Sequence, residues 1–164
     1  MEWFPVVDED GNEISRAPRS VCHDGKSMLL HPVIHLHLFN RKGELYLQKR
    51  AETKDLLPGK WDTSVGGHAD PGETTEQALK RETAEELGLK EFDFRLNKRY
   101  VWKSEREREL VSSFTGITNE IPLINPDEIQ EGRFWSLEEI RDNLGKGIFT
   151  PNFEYEFREV IIIP

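Results

Sequence analysis

Gly67-His68-Ala69-Asp70-Pro71-Gly72-Glu73-Thr74-Thr75-Glu76-Gln77-Ala78-Leu79-Lys80-Arg81-Glu82-Thr83-Ala84-Glu85-Glu86-Leu87-Gly88-Leu89 is the stretch on which the reading turns. Thr74 followed three residues later by Gln77 is a capping-box signal, and Gly88 after Leu87 supplies a left-handed stop, so a helix is predicted over residues 75 to 87. On that helix Glu82, Glu85 and Glu86 stand at i, i+3 and i+4 and therefore share one face. Like charges so placed cost about 0.2–0.5 kcal/mol per pair unless something offsets them. A hard divalent cation such as Mg²⁺, which favours carboxylate, water and phosphate oxygens, would do so.

The surrounding chain bounds the answer. Its 164 residues suit a single domain over residues 1–164. Nine Phe, four Trp and three Tyr within 36% apolar content argue for a packed core, while 32% charged residues and a mean hydropathy of -0.65 imply a polar surface. A net charge of -9 repels a polyphosphate backbone and excludes a nucleic-acid polymer as the expected partner. Cys22 is the lone cysteine, which points to a reducing, cytoplasmic setting. The start Met1-Glu2-Trp3-Phe4-Pro5 has no signal pattern, and no apolar run approaches membrane-spanning length, so no membrane association is expected.

Outward from the helix, Val6-Val7 and Glu13-Ile14 flank an Asp10-Gly11 turn and predict a hairpin. A second hairpin is predicted from Val33–Phe39 and Glu44–Arg50 around Asn40-Arg41-Lys42-Gly43, with His35 and His37 two apart on one strand face as packed or hydrogen-bonded side chains. Leu56 to Trp61 reads as a turn, and Asp62-Thr63-Ser64-Val65 as one short strand entering Gly66-Gly67. Strands follow at 92 to 103, 109 to 117 and 132 to 135, with a loop at Asn125-Pro126-Asp127-Glu128. Ser136-Leu137-Glu138-Glu139 reads as a capping box opening a helix to about Leu144, and a last helix runs from Pro151 to Val160. Strands and helices without a βαβ rhythm indicate an α+β fold built on a mixed β-sheet.

Gly67, Glu73, Arg81, Glu82, Glu85, Glu86 and Gly88 carry seven fixed residues at fixed spacing within 23 positions, and in this the chain resembles the Nudix superfamily. The resemblance implies an α/β/α sandwich and Mg²⁺- or Mn²⁺-dependent hydrolysis of a nucleoside diphosphate linked to another group. Metal held by Glu82, Glu85 and Glu86 would lower the pKa of a bound water, with Glu85 as the expected base. Arg81, counted with Glu85 in the catalytic set, is expected to orient Glu73 by a bidentate pair, or else to pair with Glu85 one turn on. Gly66 and Gly67 let backbone approach metal or phosphate. Thr83 stands where the family carries an aliphatic residue, on the inward face with Leu79 and Leu87, so a packing cost is expected there.

Upstream, His23, Leu29-Leu30-His31-Pro32, Leu38-Phe39-Asn40, Arg50-Ala51, Lys54, Pro58-Gly59, Trp61 and Ser64-Val65-Gly66-Gly67-His68 resemble the branch containing isopentenyl-diphosphate isomerase, and Glu107, Glu109 and Phe149-Thr150-Pro151 continue the likeness. That resemblance implies a second metal site from His23, His31, His68, Glu107 and Glu109, a donor set suited to Mn²⁺ or Zn²⁺. It also implies diphosphate contacts from Arg50 and Lys54. The isomerases carry a catalytic Cys where this chain has Gly66 and a Trp where it has Asn152, so the scaffold is isomerase-like and the chemistry hydrolase-like. The expectation is a small-molecule diphosphate substrate, with Trp102, Phe114 and Trp135 as candidate selectors of the attached group. An isomerase, or a non-catalytic nucleotide-binding module, stands as the alternative, and a homodimer is compatible with everything read so far.

Overall fold

A computed structural model describes residues 1–52, 57–127 and 129–164. The first hairpin forms as expected: β1 (Trp3–Val7) pairs antiparallel with β2 (Glu13–Pro18). A four-residue helix the sequence did not signal, α1 (Arg19–Cys22), follows directly. It leads through a turn into β3 (Leu30–Phe39), the central strand of a sheet that has seven strands among the described residues.

Five strands run in the order β5 (Trp61–Asp62), β4 (Leu45–Lys49), β3, β8 (Arg108–Ile117) and β7 (Asp93–Lys103). Off this path, β6 (Val65–His68) pairs with β3 and β9 (Glu131–Trp135) pairs with β4. Only β3 and β8 run parallel among the described strands, so the sheet is mixed. The segment expected as one strand, Asp62 to Val65, is instead divided between β5 and β6. Thr63 and Ser64 turn the chain there: Ser64 Oγ donates to the Tyr46 carbonyl and accepts from the Leu38 amide, tying the break to two neighbouring strands.

The period of two in β3 decides the layering. Ile34, Leu36 and Leu38 face one way and join Val65, Phe114 and the inner face of α2 (Thr75–Leu87). Phe39 faces the other way and joins Leu45, Leu47, Trp135, Ile140 of α3 (Leu137–Asn143) and Phe153 of α4 (Pro151–Glu159). Helices on both faces make the α/β/α sandwich.

Helix α2 is bounded as the sequence predicts. Thr74 and Gln77 form a complete capping box, and Gly88 ends the helix at φ 67°. Its Leu79 and Leu87 are fully buried, each contributing roughly 1.5–3 kcal/mol. Thr83 between them is equally buried, and among the described residues its Oγ1 has no hydrogen-bond partner. At α3 only half of the expected box forms. Ser136 accepts from the Glu139 amide, but the Glu139 carboxylate turns to Arg133, whose guanidinium lies 3.8 Å over the Trp135 ring.

Candidate active site and metal centre

Two groups of polar side chains flank β6. Because strand neighbours alternate, Gly67 faces α2 and Gly66 and His68 face the opposite side, where β3 presents His31 and His35.

On the α2 side Glu82 packs against Gly67 so closely that a Cβ there would stand 2.4 Å from its Cδ. Glycine is the residue that leaves this room. Arg81 is the hub. Its Nε and Nη2 donate to the two oxygens of Glu73 at 2.8 and 3.0 Å, the bidentate pair expected from the sequence. Nη1 donates to Glu82 at 2.7 Å and, more loosely, to Glu85 at 3.5 Å, while Nη2 also donates to the His68 carbonyl at 2.9 Å. These contacts, Glu73 foremost, raise the guanidinium pKa still further. Burial pushes the Glu82 carboxyl up, although its bonds to Glu86 and Arg81 pull the other way. Gln48, which the sequence reading passed over, donates to Glu86 at 2.9 Å. Glu85 is half exposed and Glu86 buried, so the three carboxylates of this face differ in access to solvent. Two carboxyls in contact, Glu82 and Glu86, require a shared proton or a cation.

On the other side His23, His31, His68 and Glu107 bring one donor atom each within 4.8 Å of one another. Their arrangement fits a cation. His31 Nδ1 lies 3.0 Å from the Leu29 carbonyl, so in the neutral ring that nitrogen carries the proton and Nε2 presents a lone pair. Nε2 meets Glu107 Oε1 at 3.1 Å, a hydrogen bond when the ring also carries a proton there and two facing acceptors when it does not. Among the described residues the Nε2 atoms of His23 and His68 are buried without hydrogen-bond partners, although His23 Nε2 lies 3.2 Å from the same Glu107 oxygen. Burial, reinforced by His31, depresses the His68 pKa to about 3, which keeps its lone pair available. Burial pushes the Glu107 carboxyl up, but the adjacent His23 and His31 imidazoles outweigh it and hold the group well below the carboxylate range. Phe4 of the first hairpin stacks on His68 with centroids 4.2 Å apart and also contacts His23 and His31. Nothing in the sequence marked Phe4 for this place.

Glu109, expected as a fifth ligand, stands outside that group of four. Burial and the neighbouring Glu107 raise its pKa to about 8. Arg50 lies 3.5 Å from Asp62, whose other oxygen accepts from Thr150. Lys54 lies outside the described residues. Of the three candidate selectors, Phe114 and Trp135 belong to the two cores, whereas Trp102 is half-buried against Tyr155 and Tyr100.

A third polar group was not foreseen. Glu156 of α4 is fully buried and receives His37 Nε2 at 2.8 Å on one oxygen, with Tyr100 Oη at 2.7 Å and His35 Nδ1 on the other. Asn152 in turn donates to Tyr100 at 2.8 Å. His35 and His37 are hydrogen-bonded as expected, to a partner more than a hundred residues away.

Residues 29–153 match the family model described as the NUDIX domain. An uncharacterized Nudix hydrolase of Listeria monocytogenes is 36% identical over 128 residues, covering 76% of this chain and 74% of the relative. An isopentenyl-diphosphate Delta-isomerase of Pectobacterium atrosepticum is 34% identical over 140 residues, covering 80% and 76%. A crystal structure of a Deinococcus radiodurans protein superposes with a TM-score of 0.82 over 98% of this chain and all of that one, at 22% identity, a likeness of fold. No helix among the described residues is long and apolar enough to cross a membrane.

Proposed function

The chain belongs to the Nudix hydrolase family, and from that premise we propose that it is a cytoplasmic, Mg²⁺- or Mn²⁺-dependent enzyme cleaving the diphosphate bond of nucleoside di- or triphosphates. The observation that carries the reading is the Arg81 clamp, which holds Glu73, Glu82 and the His68 carbonyl in one place beside Glu85 and Glu86. Its five hydrogen bonds match the five N–H groups of a guanidinium, so Arg81 acts as a positioning residue. Glu82 and Glu86 are assigned to hold the cation on the helix side, and His23, His31, His68 and Glu107 to hold one on the other. Glu109 beside them is assigned a supporting role. When bound, such a cation neutralises phosphate charge and acidifies a coordinated water. Glu85, the half-exposed carboxylate, accepts the proton from the attacking water. The backbone at Gly66 and Gly67 approaches the phosphates, Arg50 and Lys54 neutralise them, and Trp102 with Tyr155 contacts the attached group.

An isomerase is the less favoured reading because position 66 lacks a thiol. Cys22 is buried with Phe4, Val6 and Ala17, and its pKa is pushed up by that burial, which makes it a poor substitute.

The test is turnover of nucleotides, sugar nucleotides, dinucleoside polyphosphates and isopentenyl diphosphate with Mg²⁺ or Mn²⁺, followed by phosphorus NMR. Hydrolysis of a nucleotide is expected, and Glu85→Gln should lower kcat about a hundredfold to ten-thousandfold without unfolding the chain. Unchanged turnover in Glu85→Gln would remove Glu85 as the base. Production of dimethylallyl diphosphate would establish the isomerase instead.

A further inference from the structure

We propose that His35, held by Glu156, contacts an anionic oxygen of a metal-bound diphosphate, extending the His23, His31, His68 and Glu107 cluster across the same sheet face. This deepens the function proposed above and rests on it.

The placement follows from register. In the antiparallel pair of β3 and β6, Val33 faces His68 and His35 faces Gly66. His35 and His68 are therefore diagonal neighbours on one face, roughly 7–8 Å apart, with their Cβ atoms somewhat closer. A diphosphate with one phosphate at the cluster spans that interval with the other.

Orientation follows from Glu156. The carboxylate takes the Nδ1 side of the His35 ring, which leaves Nε2 as the nitrogen available to a ligand, and among the described residues no hydrogen bond is formed there. Glu156 is itself fixed from β3 by His37 and from β7 by Tyr100. An imidazole aimed by a carboxylate behind it is the arrangement a ligand-contacting histidine needs.

Room follows from Gly66. A Cβ at that position would stand 3.6 Å from His35 Cδ2, so the glycine leaves this edge of the imidazole uncovered. A clamp that only anchored α4 would need neither the gap nor access to solvent. His37, fully buried, meets that purpose, whereas the His35 side chain keeps 13% of its surface exposed. Burial opposes a charge on His35, but Glu156 outweighs it and raises the pKa to about 9, so the ring is a donor at neutral pH.

The experiment is isothermal titration of the full chain with Mn²⁺ alone, then with inorganic pyrophosphate at saturating Mn²⁺. His35→Ala should leave Mn²⁺ affinity within about twofold and weaken pyrophosphate binding about tenfold to a hundredfold, the effect of losing a charge-assisted hydrogen bond. His35→Gln, which restores a neutral donor, should recover part of the loss. His37→Ala, which removes the other histidine from Glu156 but leaves Tyr100 on the oxygen that holds His35, should lower thermal stability and weaken pyrophosphate binding clearly less than His35→Ala does. Unchanged pyrophosphate binding in a folded His35→Ala overturns the proposal. So does a parallel loss of Mn²⁺ and pyrophosphate, an equal effect from His37→Ala, or a wild-type chain that binds no pyrophosphate with Mn²⁺. Pyrophosphate binding that depends on His35 in a chain hydrolysing no nucleotide would sink the function proposed above and leave this contact standing. Nucleotide hydrolysis with pyrophosphate binding indifferent to His35 would do the reverse.

Discussion

On the helix side of β6, Glu73, Glu82 and Glu85 all reach Arg81, and Glu86 takes a bond from Gln48. On the histidine side, the Nε2 atoms of His23 and His68 are buried without hydrogen bonds among the described residues, and His31 Nε2 meets the Glu107 carboxylate. The first group is largely paired by protein, the Glu82–Glu86 contact excepted, whereas the second leaves buried imidazole nitrogens without a partner among the described residues. The difference follows from how each is assembled. Arg81 and its carboxylates come from 13 positions of contiguous chain, residues 73 to 85, so partner and ligand are selected together. The cluster draws on α1's end, β3, β6 and the turn before β8, and its four donor atoms lie within 4.8 Å of one another, an arrangement that could hold a cation.

Adjacent glycines offer the sharpest way to break this comparison. Gly67→Ala must displace Glu82 and is expected to cost about a hundredfold in kcat/KM, the scale of a misplaced catalytic group, with a modest change in Tm. Gly66→Ala meets only ordinary contacts at 3.4 and 3.6 Å and should fold with unchanged Tm. Equal kinetic losses from both would mean that the two faces are not separate.

A second contrast lies between histidines. His68 has a folded pKa near 3 against an ordinary 6.5, so in the metal-free protein the unfolded chain binds the extra proton and stability falls as pH drops from 6.5 toward 3. His35 has a folded pKa near 9, so its contribution is complete below 6.5 and is lost as pH rises through 9. Urea unfolding with chelator present should show the His68 slope on the acid side and the His35 slope on the alkaline side. His35→Gln should flatten only the alkaline one, and a profile unchanged by that substitution would refute the assignment.

The smallest effect concerns packing behind the acidic face. Thr83→Val removes a buried hydroxyl without a partner and should stabilise the fold by about 1 kcal/mol in urea unfolding, with kcat unaltered.

These contrasts also mark what the chain discloses on its own. Helix α2 and both its caps were legible because each signal acts within four residues. The break at Thr63-Ser64 was not, since Ser64 is held by Tyr46 and Leu38, on strands whose register no local pattern gives. The convergence of His23, His31 and His68 was reached only through resemblance, because it depends on the pairing Val33 with His68. Glu156 gave no signal at all: its partners His35 and His37 lie 121 and 119 residues away, and an acidic residue in an amphipathic helix ordinarily faces water.

Strand β3 carries Ile34, Leu36 and Leu38 into one core and His31, His35 and His37 to the other face. Inserting one residue near its start would exchange the two sets downstream, driving imidazoles beneath α2 and aliphatic chains against Glu156. The strand can therefore vary in composition residue by residue, but its length is fixed, and alignment gaps should fall in the loops on either side of it.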